Sequence, residues 1–361
     1  MLEKITKRKI TNLVDSAKTG ITSHNTSHAP RCSHGVALRF SRTDKNTGLI
    51  RDFYACSVTR DRKLCRMFHW VEDWERKISR PVIVQSSENF DPSREKKTRY
   101  DSNLGLDTFV DNSSNAQFTF DRDSISLIVS LCRTTKPALR VLCLGTPSIH
   151  VELQKQGINS VLLDEDGRLA TIANSVYRYN MFTGDFFASN PNLSDDYTVI
   201  ICDPPFHPEL LPALFVSLKR TFPSTYNSAL LLFAFPYFFH QQVVAACSRL
   251  ATMTDVRLTY SNHKKYISAE RSPVRLFISE PTLKTLLNDA PKGYRYCVEC
   301  DEIVSEVNRH CAKCKRCTSI AGNRAYKHCE DCKVCVKESA VHCFKCRKCF
   351  ISSTHTCSNT S

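Results

Sequence analysis

Four residues that follow one apolar run, Asp203-Pro204-Pro205-Phe206, combine types with a specific chemical use. Two prolines hold φ at about −65° and remove two backbone donors, so the loop offers acceptors only: the Asp203 carboxylate and the Pro204 carbonyl. Such acceptors suit an exocyclic amine. The amino nitrogen of adenine is a poor nucleophile because its lone pair is delocalised into the ring. Two acceptors on its hydrogens favour a pyramidal nitrogen that can attack an electrophile, and a ring such as Phe206 stacked on the base fixes its plane for about 1–3 kcal/mol. The plainer reading of the same residues is a rigid turn from strand to helix. Two other strand ends qualify as ligand positions: Gly145, where a missing side chain lets the chain turn beside a ligand, and Asp164, a carboxylate able to accept from both hydroxyls of a ribose. Both features are common in α/β domains.

Cysteine makes the second pattern. Of 19 cysteines, twelve lie between Cys297 and Cys357 in a repeat: HCAKCKRC from His310, HCEDCKVC from His328 and HCFKCRKC from His342. Cys297-x-x-Cys300 precedes it and His355-Thr-Cys357 follows. Thiolate pairs at this spacing are a strong zinc signal. The candidate ligands are Cys297, Cys300, His310, Cys311, Cys314, Cys317, His328, Cys329, Cys332, Cys335, His342, Cys343, Cys346, Cys349, His355 and Cys357, sixteen in all and enough for four tetrahedral ions. Spacing does not say which four share an ion, or whether every histidine is a direct ligand. A knuckle of Cys332, Cys335, His342 and Cys346 is one register. Nearer the N-terminus, Cys32, His34, Cys56 and Cys65 supply three thiolates and an imidazole for a further closed site, with Phe53, Tyr54, Phe68 and Trp70 as a small core and His69 at the surface. That piece resembles a GRF-type finger, which binds single-stranded nucleic acid. Arg39, Arg42, Lys45 and Arg51 suit phosphates, and purely structural packing against the middle piece is the close alternative.

These residues need a scaffold, and 361 residues allow two or three domains. The first residues, MLEKITKRKITNLVDSAK, are charged and amphipathic, unlike a secretory leader. The longest apolar stretch, Ala229 to Phe239, is broken by Pro236 and falls short of the roughly 18–20 residues of a membrane helix. A reducing compartment is therefore expected, where clustered cysteines hold metal rather than disulfides. Polar composition marks 1–30 as a tail and 85–115 as a linker, which leaves folded pieces at 31–84, 116–290 and 291–361. In the middle piece, nearly continuous apolar runs at 139–144, 160–164, 197–203 and 228–236 predict buried parallel strands. Helices are expected around 121–133, 147–156, 167–176 and 208–222, with a closing hairpin from 256–260 and 274–279. Cys132, Cys143, Cys202 and Cys247 fall in these runs and read as small buried hydrophobes. The connection carrying Arg257, His263, Lys264, Lys265, Tyr266, Arg271 and Arg275 reads either as a solvated loop or as an RNA-contacting gate over the strand ends.

Asp164, the YNMF run at 179–182, DPPF at 203–206, FPYFF at 235–239, SNHKKY and SPVRLF at 261–266 and 272–277, and the cysteine-rich tail together resemble the zinc-finger CCHC-domain-containing rRNA adenine methyltransferases, over most of 31–357. The resemblance implies an α/β fold: a Rossmann-like methyltransferase domain with an N-terminal GRF-type zinc finger and a C-terminal multi-zinc Cys/His-rich module. It implies S-adenosylmethionine as methyl donor, zinc, and N6-methyladenosine in large-subunit rRNA as product. It places the cofactor against Gln117, Phe118, Thr119 and Phe120, the Gly145 turn, Asp164, Asn180, Met181 and Asp203, with Asp203, Pro204, Pro205 and Phe206 as the catalytic loop. It further implies rRNA and ribosome-assembly factors as partners, a monomer without membrane contact, and residence in the nucleus or nucleolus, or else the cytoplasm. Some relatives carry a two-Cys two-His finger before the catalytic domain, but no cysteine stands between Cys65 and Cys132 here.

Other functions share parts of this pattern. A zinc-dependent RNA-binding or ribosome-assembly protein with a degenerate methyltransferase domain fits the glycine-poor LGTP turn. A methyltransferase for a protein glutamine amide also needs an acceptor-rich Pro-Pro loop, though the basic charge disfavours it. The tail is similar to that of protein acyltransferases, but Tyr-Lys-His-Cys stands at 326–329 where their Asp-His-His-Cys nucleophile would be, and a ubiquitin-ligase cross-brace would be less regular. The formal charge of +14 falls to roughly +9 if five zinc ions bind fifteen thiolates, and it remains suited to RNA.

Overall fold

In the N-terminal piece, alternating residues build a three-stranded antiparallel sheet, β1 (Leu38–Thr43), β2 (Ile50–Ala55) and β3 (Phe68–Trp70), followed by α1 (Val71–Ile78). The structure is a computed structural model describing residues 28–43, 48–59, 62–63, 65–78, 118–133, 139–187, 191–263, 266–269, 272–279, 294–300, 302–318, 325–351, 355 and 357. Of the expected tail at 1–30, residues 1–27 lie outside the described residues, as does the linker at 85–115. In the finger, the pleat gathers Phe40, Phe53, Phe68 and Trp70 on one face, with ring centroids 5.7 Å apart for Phe40–Phe53 and 5.1 Å for Phe53–Phe68. Tyr54 pairs with His69 on the opposite face, so Phe40 takes the place expected for it in the small core.

The middle piece runs α2 (Arg122–Arg133), β4 (Arg140–Leu144), α3 (Pro147–Lys155), β5 (Asn159–Asp164), β6 (Val176–Asn180), β7 (Asp185–Phe186), β8 (Val199–Cys202), α4 (Leu211–Thr221), α5 (Pro223–Ser228), β9 (Leu230–Pro236), α6 (His240–Ala246), β10 (Thr252–Arg257) and β11 (Val274–Ile278). Its eight-stranded sheet has the order β10-β11-β9-β8-β4-β5-β6-β7. The five strands from β9 to β6 are parallel, and antiparallel strands close both edges. Alternation along the strands gives two cores. Leu142, Leu144, Ile200, Cys202, Leu231 and Phe233 face α4, together with Leu38 and Phe40 of the finger. Val141, Cys143, Val199, Ile201 and Leu232 face α2 and α3.

One expected helix is absent. The segment 167–176 forms only a short turn at Gly167–Thr171, begun by the Asp166 side chain accepting from the Arg168 N–H. Ser175 then turns the chain at φ 55°, and Val176-Tyr177-Arg178-Tyr179-Asn180 continues as β6. Its Val and Tyr content favours an extended segment over a helix. The cysteines Cys132, Cys143, Cys202 and Cys247 are buried in the two cores, and burial pushes the Cys143 thiol up to about 12, which leaves it a poor ligand or nucleophile. Among the described residues no helix is long and apolar enough to cross a membrane.

The tail begins with the hairpin β12 (Tyr294–Cys297) and β13 (Glu302–Ser305), joined to the sheet where the Tyr294 hydroxyl accepts from the Arg257 N–H at 2.9 Å. Three more hairpins follow, each pairing a histidine with a cysteine across its ladder: His310 with Cys317, His328 with Cys335, His342 with Cys349. Each ladder pair completes the site opened by the preceding Cys-x-x-Cys. The ligand groups are Cys297, Cys300, His310, Cys317; Cys311, Cys314, His328, Cys335; Cys329, Cys332, His342, Cys349; and Cys343, Cys346, His355, Cys357. The register Cys332, Cys335, His342, Cys346 is therefore not adopted, because Cys335 and Cys346 belong to neighbouring sites. Lys315, Lys333 and Arg347 turn the three knuckles at φ 50–55°, a left-handed position that costs least for glycine but here carries a cation.

With the finger, five four-ligand groups exist among the described residues, their ligand atoms within 4.8 Å of one another. Native mass spectrometry of the full chain is expected to find five zinc ions. Cys357→Ser should remove one and leave the others. Loss of all tail ions in that variant would contradict sites that close in sequence.

Candidate active site

Strand order reverses between β4 and β8, and the carboxyl ends of these two strands splay around a cavity of about 360 Å³. This is the ligand position of open α/β sheets, at a size typical of small-molecule sites. The cavity brings together Phe118, Gly145, Asp164, Asn180, Met181, Asp203, Pro204, Pro205 and Phe206, all singled out from sequence. Thr119 and Phe120 do not line it. The Thr119 N–H donates to Asn262 Oδ1 at 3.0 Å, and Phe120 stacks on Tyr260, so both brace the wall from behind. Gln117 lies outside the described residues.

Gly145 has φ +64°, and a Cβ there would stand 3.0 Å from the Asp203 carbonyl oxygen and 3.1 Å from Met181 Cε. Only a residue without a side chain lets these three segments meet. Asp164 Oδ1 accepts from the Asp166 N–H at 2.8 Å, and the Asp166 carboxylate forks onto Arg168. A buried carboxylate at the strand end, a glycine turn and an apolar wall fit a nucleoside-bearing cofactor such as S-adenosylmethionine.

Seven further residues line the cavity: Val58, Glu165, Asp166 and Tyr260, to which sequence reasoning assigned no site role, Tyr179 and Phe182, noted only within the YNMF run, and His263, expected on an RNA-contacting connection. Glu165 follows a residue already assigned, and desolvation pushes its carboxyl up to about 7. Tyr260 was visible only as the end of an apolar run. Its hydroxyl donates to both carboxylate oxygens of Asp203 at 3.0 Å. His263 stacks on Tyr266 with centroids 4.1 Å apart and lies 4.7 Å from Phe118, while Phe206 is 6.5 Å from Tyr266. Rings from three segments thus border the mouth next to the Pro-Pro loop.

The loop from Arg257 to Arg275 differs from the expected cationic surface. Arg257 and Arg275 are buried, and Arg275 donates to the Ser272 and Val274 carbonyls and lies over the Tyr237 ring. Both occupy strands flanked by inward apolar neighbours, so they are structural and unavailable to phosphate. Lys264, Lys265 and Arg271 lie outside the described residues. In the finger, Arg39 is engaged by Asp52 and Arg51 by Glu72 at 3.2 Å, and Arg42 and Arg51 lie over Trp70 at 4.7 and 3.9 Å; Lys45 lies outside the described residues.

The finger's ligand set, Cys32, His34, Cys56 and Cys65, fits zinc: Cys32 Sγ is 3.9 Å from Cys56 Sγ and 3.8 Å from His34 Nδ1. A tetrahedron with zinc–sulfur bonds of about 2.3 Å has edges near these lengths. Zinc there would be structural, since all four positions are filled by protein.

Asp203 has an electrostatic cost. Burial pushes its carboxyl from an ordinary 3.8 up to about 8, with the Tyr260 hydrogen bond offsetting part of the rise. The folded protein therefore holds this proton where the unfolded chain has lost it, and stability falls as pH rises through that window. Asp203→Asn keeps an acceptor for Tyr260 and removes the charge. Its gain in melting temperature over the wild type should grow between about pH 5 and pH 8; an equal gain at both would show that the site does not strain this carboxylate.

A family model described as a probable N6-adenine methyltransferase matches residues 111–279. The rRNA N(6)-adenosine-methyltransferase ZCCHC4 of Xenopus tropicalis is 30% identical over 366 residues, covering 78% of this chain and 73% of the relative. The Homo sapiens protein of the same name is 29% identical over 376 residues, covering 82% and 72%. Among solved structures, a TehB-like SAM-dependent methyltransferase from Corynebacterium glutamicum aligns with 44% of this chain and 89% of its own at 13% identity and a TM-score of 0.31. By its likeness to these curated relatives, the chain belongs to the ZCCHC4 family of N6-adenosine methyltransferases and is an enzyme.

Proposed function

We propose that this enzyme transfers a methyl group from S-adenosylmethionine to N6 of an unpaired adenosine in large-subunit rRNA. The observation that carries the reading is the acceptor-only loop Asp203-Pro204-Pro205-Phe206 at the switch point, facing a cavity rimmed by aromatic rings. When bound, S-adenosylmethionine supplies the electrophilic methyl. Asp164 and the Gly145 turn hold its nucleoside, and Asn180 and Met181 stand on the wall beside them. The target base leaves its stack, at a cost of a few kcal/mol that is least in loops, and enters between the rings. The Asp203 carboxylate and the Pro204 carbonyl accept the two amino hydrogens and turn the lone pair toward the methyl. Most of the rate gain is positional. Tyr260, which donates to Asp203 in the free enzyme, holds that carboxylate in place until the amine arrives.

The substrate assignment draws on the relatives' names and on a basic chain whose knuckles each present a cation. Ribosome-assembly factors as partners, a monomeric state and a nucleolar site of action go with the same proposal. Phosphate contacts predict an affinity that falls steeply with salt.

Mass spectrometry of rRNA nucleosides, with and without the protein, tests activity and substrate together. N6-methyladenosine should fall in large-subunit rRNA when the protein is absent and return with the wild type but not with Asp203→Ala. Methylation restored by Asp203→Ala would defeat the proposed role of the carboxylate. Because the ionised form accepts the amine, kcat/KM for RNA should rise with pH through about 8 and level off above it.

A further inference from the structure

The finger does not stand apart from the cofactor cavity. Asn180, on the cavity wall, is nearly fully buried, and both ends of its amide are engaged. Its Oδ1 accepts from the Phe182 and Thr183 N–H groups at 3.0 and 3.2 Å, which fixes the turn of its own loop. Its Nδ2 donates to the His34 carbonyl and to Ser57 Oγ, both at 2.8 Å. These acceptors belong to the two turns that carry the zinc ligands His34 and Cys56. Next along the chain, Val58 lines the cavity, and its N–H points at Cys56 Sγ from 3.4 Å. Gly35 permits the approach: at φ +105° its missing Cβ would lie 3.2 Å from Asn180 Nδ2.

We propose that the N-terminal zinc finger forms one wall of the cofactor cavity, with Asn180, Ser57 and Gly35 as positioning residues through which closure of the first zinc site sets affinity for S-adenosylmethionine. The inference rests on the reading above that this cavity takes that cofactor. With the four ligands gathered, the Cys56–Val58 turn is held against Asn180, and residues 180–183 are held in turn. If the ligands separate, Val58 leaves the wall and two buried donors lose their acceptors, so the loop carrying Asn180, Met181 and Phe182 relaxes away from its binding shape. The finger thereby acts on the cofactor step, independently of any contact it makes with RNA.

Calorimetric titration of S-adenosylmethionine into the zinc-loaded full chain tests this. Ser57→Ala, which keeps every ligand, should weaken binding by about threefold to tenfold, the net worth of one hydrogen bond. Cys65→Ser, which opens the site but touches neither Asn180 nor the cavity, should weaken it by at least as much while tail zinc is retained. Cys357→Ser, at the far end of the tail, should bind as the wild type does. Combining Ser57→Ala with Asn180→Ala should be no worse than Asn180→Ala alone, a coupling that general destabilisation would not give. If Cys65→Ser fails to fold, Ser57→Ala and the coupling decide. Wild-type affinity in Ser57→Ala, or additive losses, would overturn the inference. A wild type that binds no S-adenosylmethionine would instead overturn the cofactor reading beneath it.

Discussion

A parallel sheet must be covered on both faces, and this molecule meets the demand with unequal materials. One face of the central strands lies under α2 and α3. The other lies under α4 and, toward its β6 side, under the finger, whose Leu38 and Phe40 share a core with Tyr179 and Phe182. Stripped of the finger, that side would present apolar side chains to water, at about 25 cal/mol for each Å² exposed. The finger is thus part of the fold of the catalytic domain, and its placement beside the cofactor cavity follows from where the sheet lacked cover.

The same burial sets the chemistry at Asp203. A carboxylate accepts strongly from an amine only where water does not compete, and water is excluded by the apolar strands that also make the ionised form costly. The site keeps this tension, with Tyr260 as the sole hydrogen-bond donor recorded at the carboxylate among the described residues. In the proposed reaction, a substrate amine that replaced or joined that donor would recover part of the desolvation cost, which would favour binding of the group that is to react.

What the sequence disclosed follows from the range of the interactions involved. Apolar runs mark β4, β5, β8 and β9 because a strand buried on both faces writes its environment into consecutive residues. DPPF was legible for a similar reason, since its rigidity and its acceptors are properties of four adjacent residues. The ligand inventory of the tail was visible, but its grouping was not, because each site borrows from two repeats. Tyr260 lies 57 residues from Asp203, and the acceptors of Asn180 lie 123 and 146 residues away, so neither arrangement leaves a local trace. Arg257 and Arg275 misled because a cation is read as surface by its type. Their apolar neighbours in Val256-Arg257-Leu258 and Val274-Arg275-Leu276 were the better guide.

The tail has almost no apolar interior; its hairpins are joined through shared half-sites, each supplying a ladder pair to the ion behind it and a tip pair to the ion ahead. Such a chain behaves as a one-dimensional array in which stability is local and growth has a direction. A nascent polypeptide leaving the ribosome can close the site of Cys297 only when Cys317 has emerged, that of Cys311 when Cys335 has emerged, and so on, which makes metal capture vectorial. His355 and Cys357 complete the fourth tail site from outside the repeat.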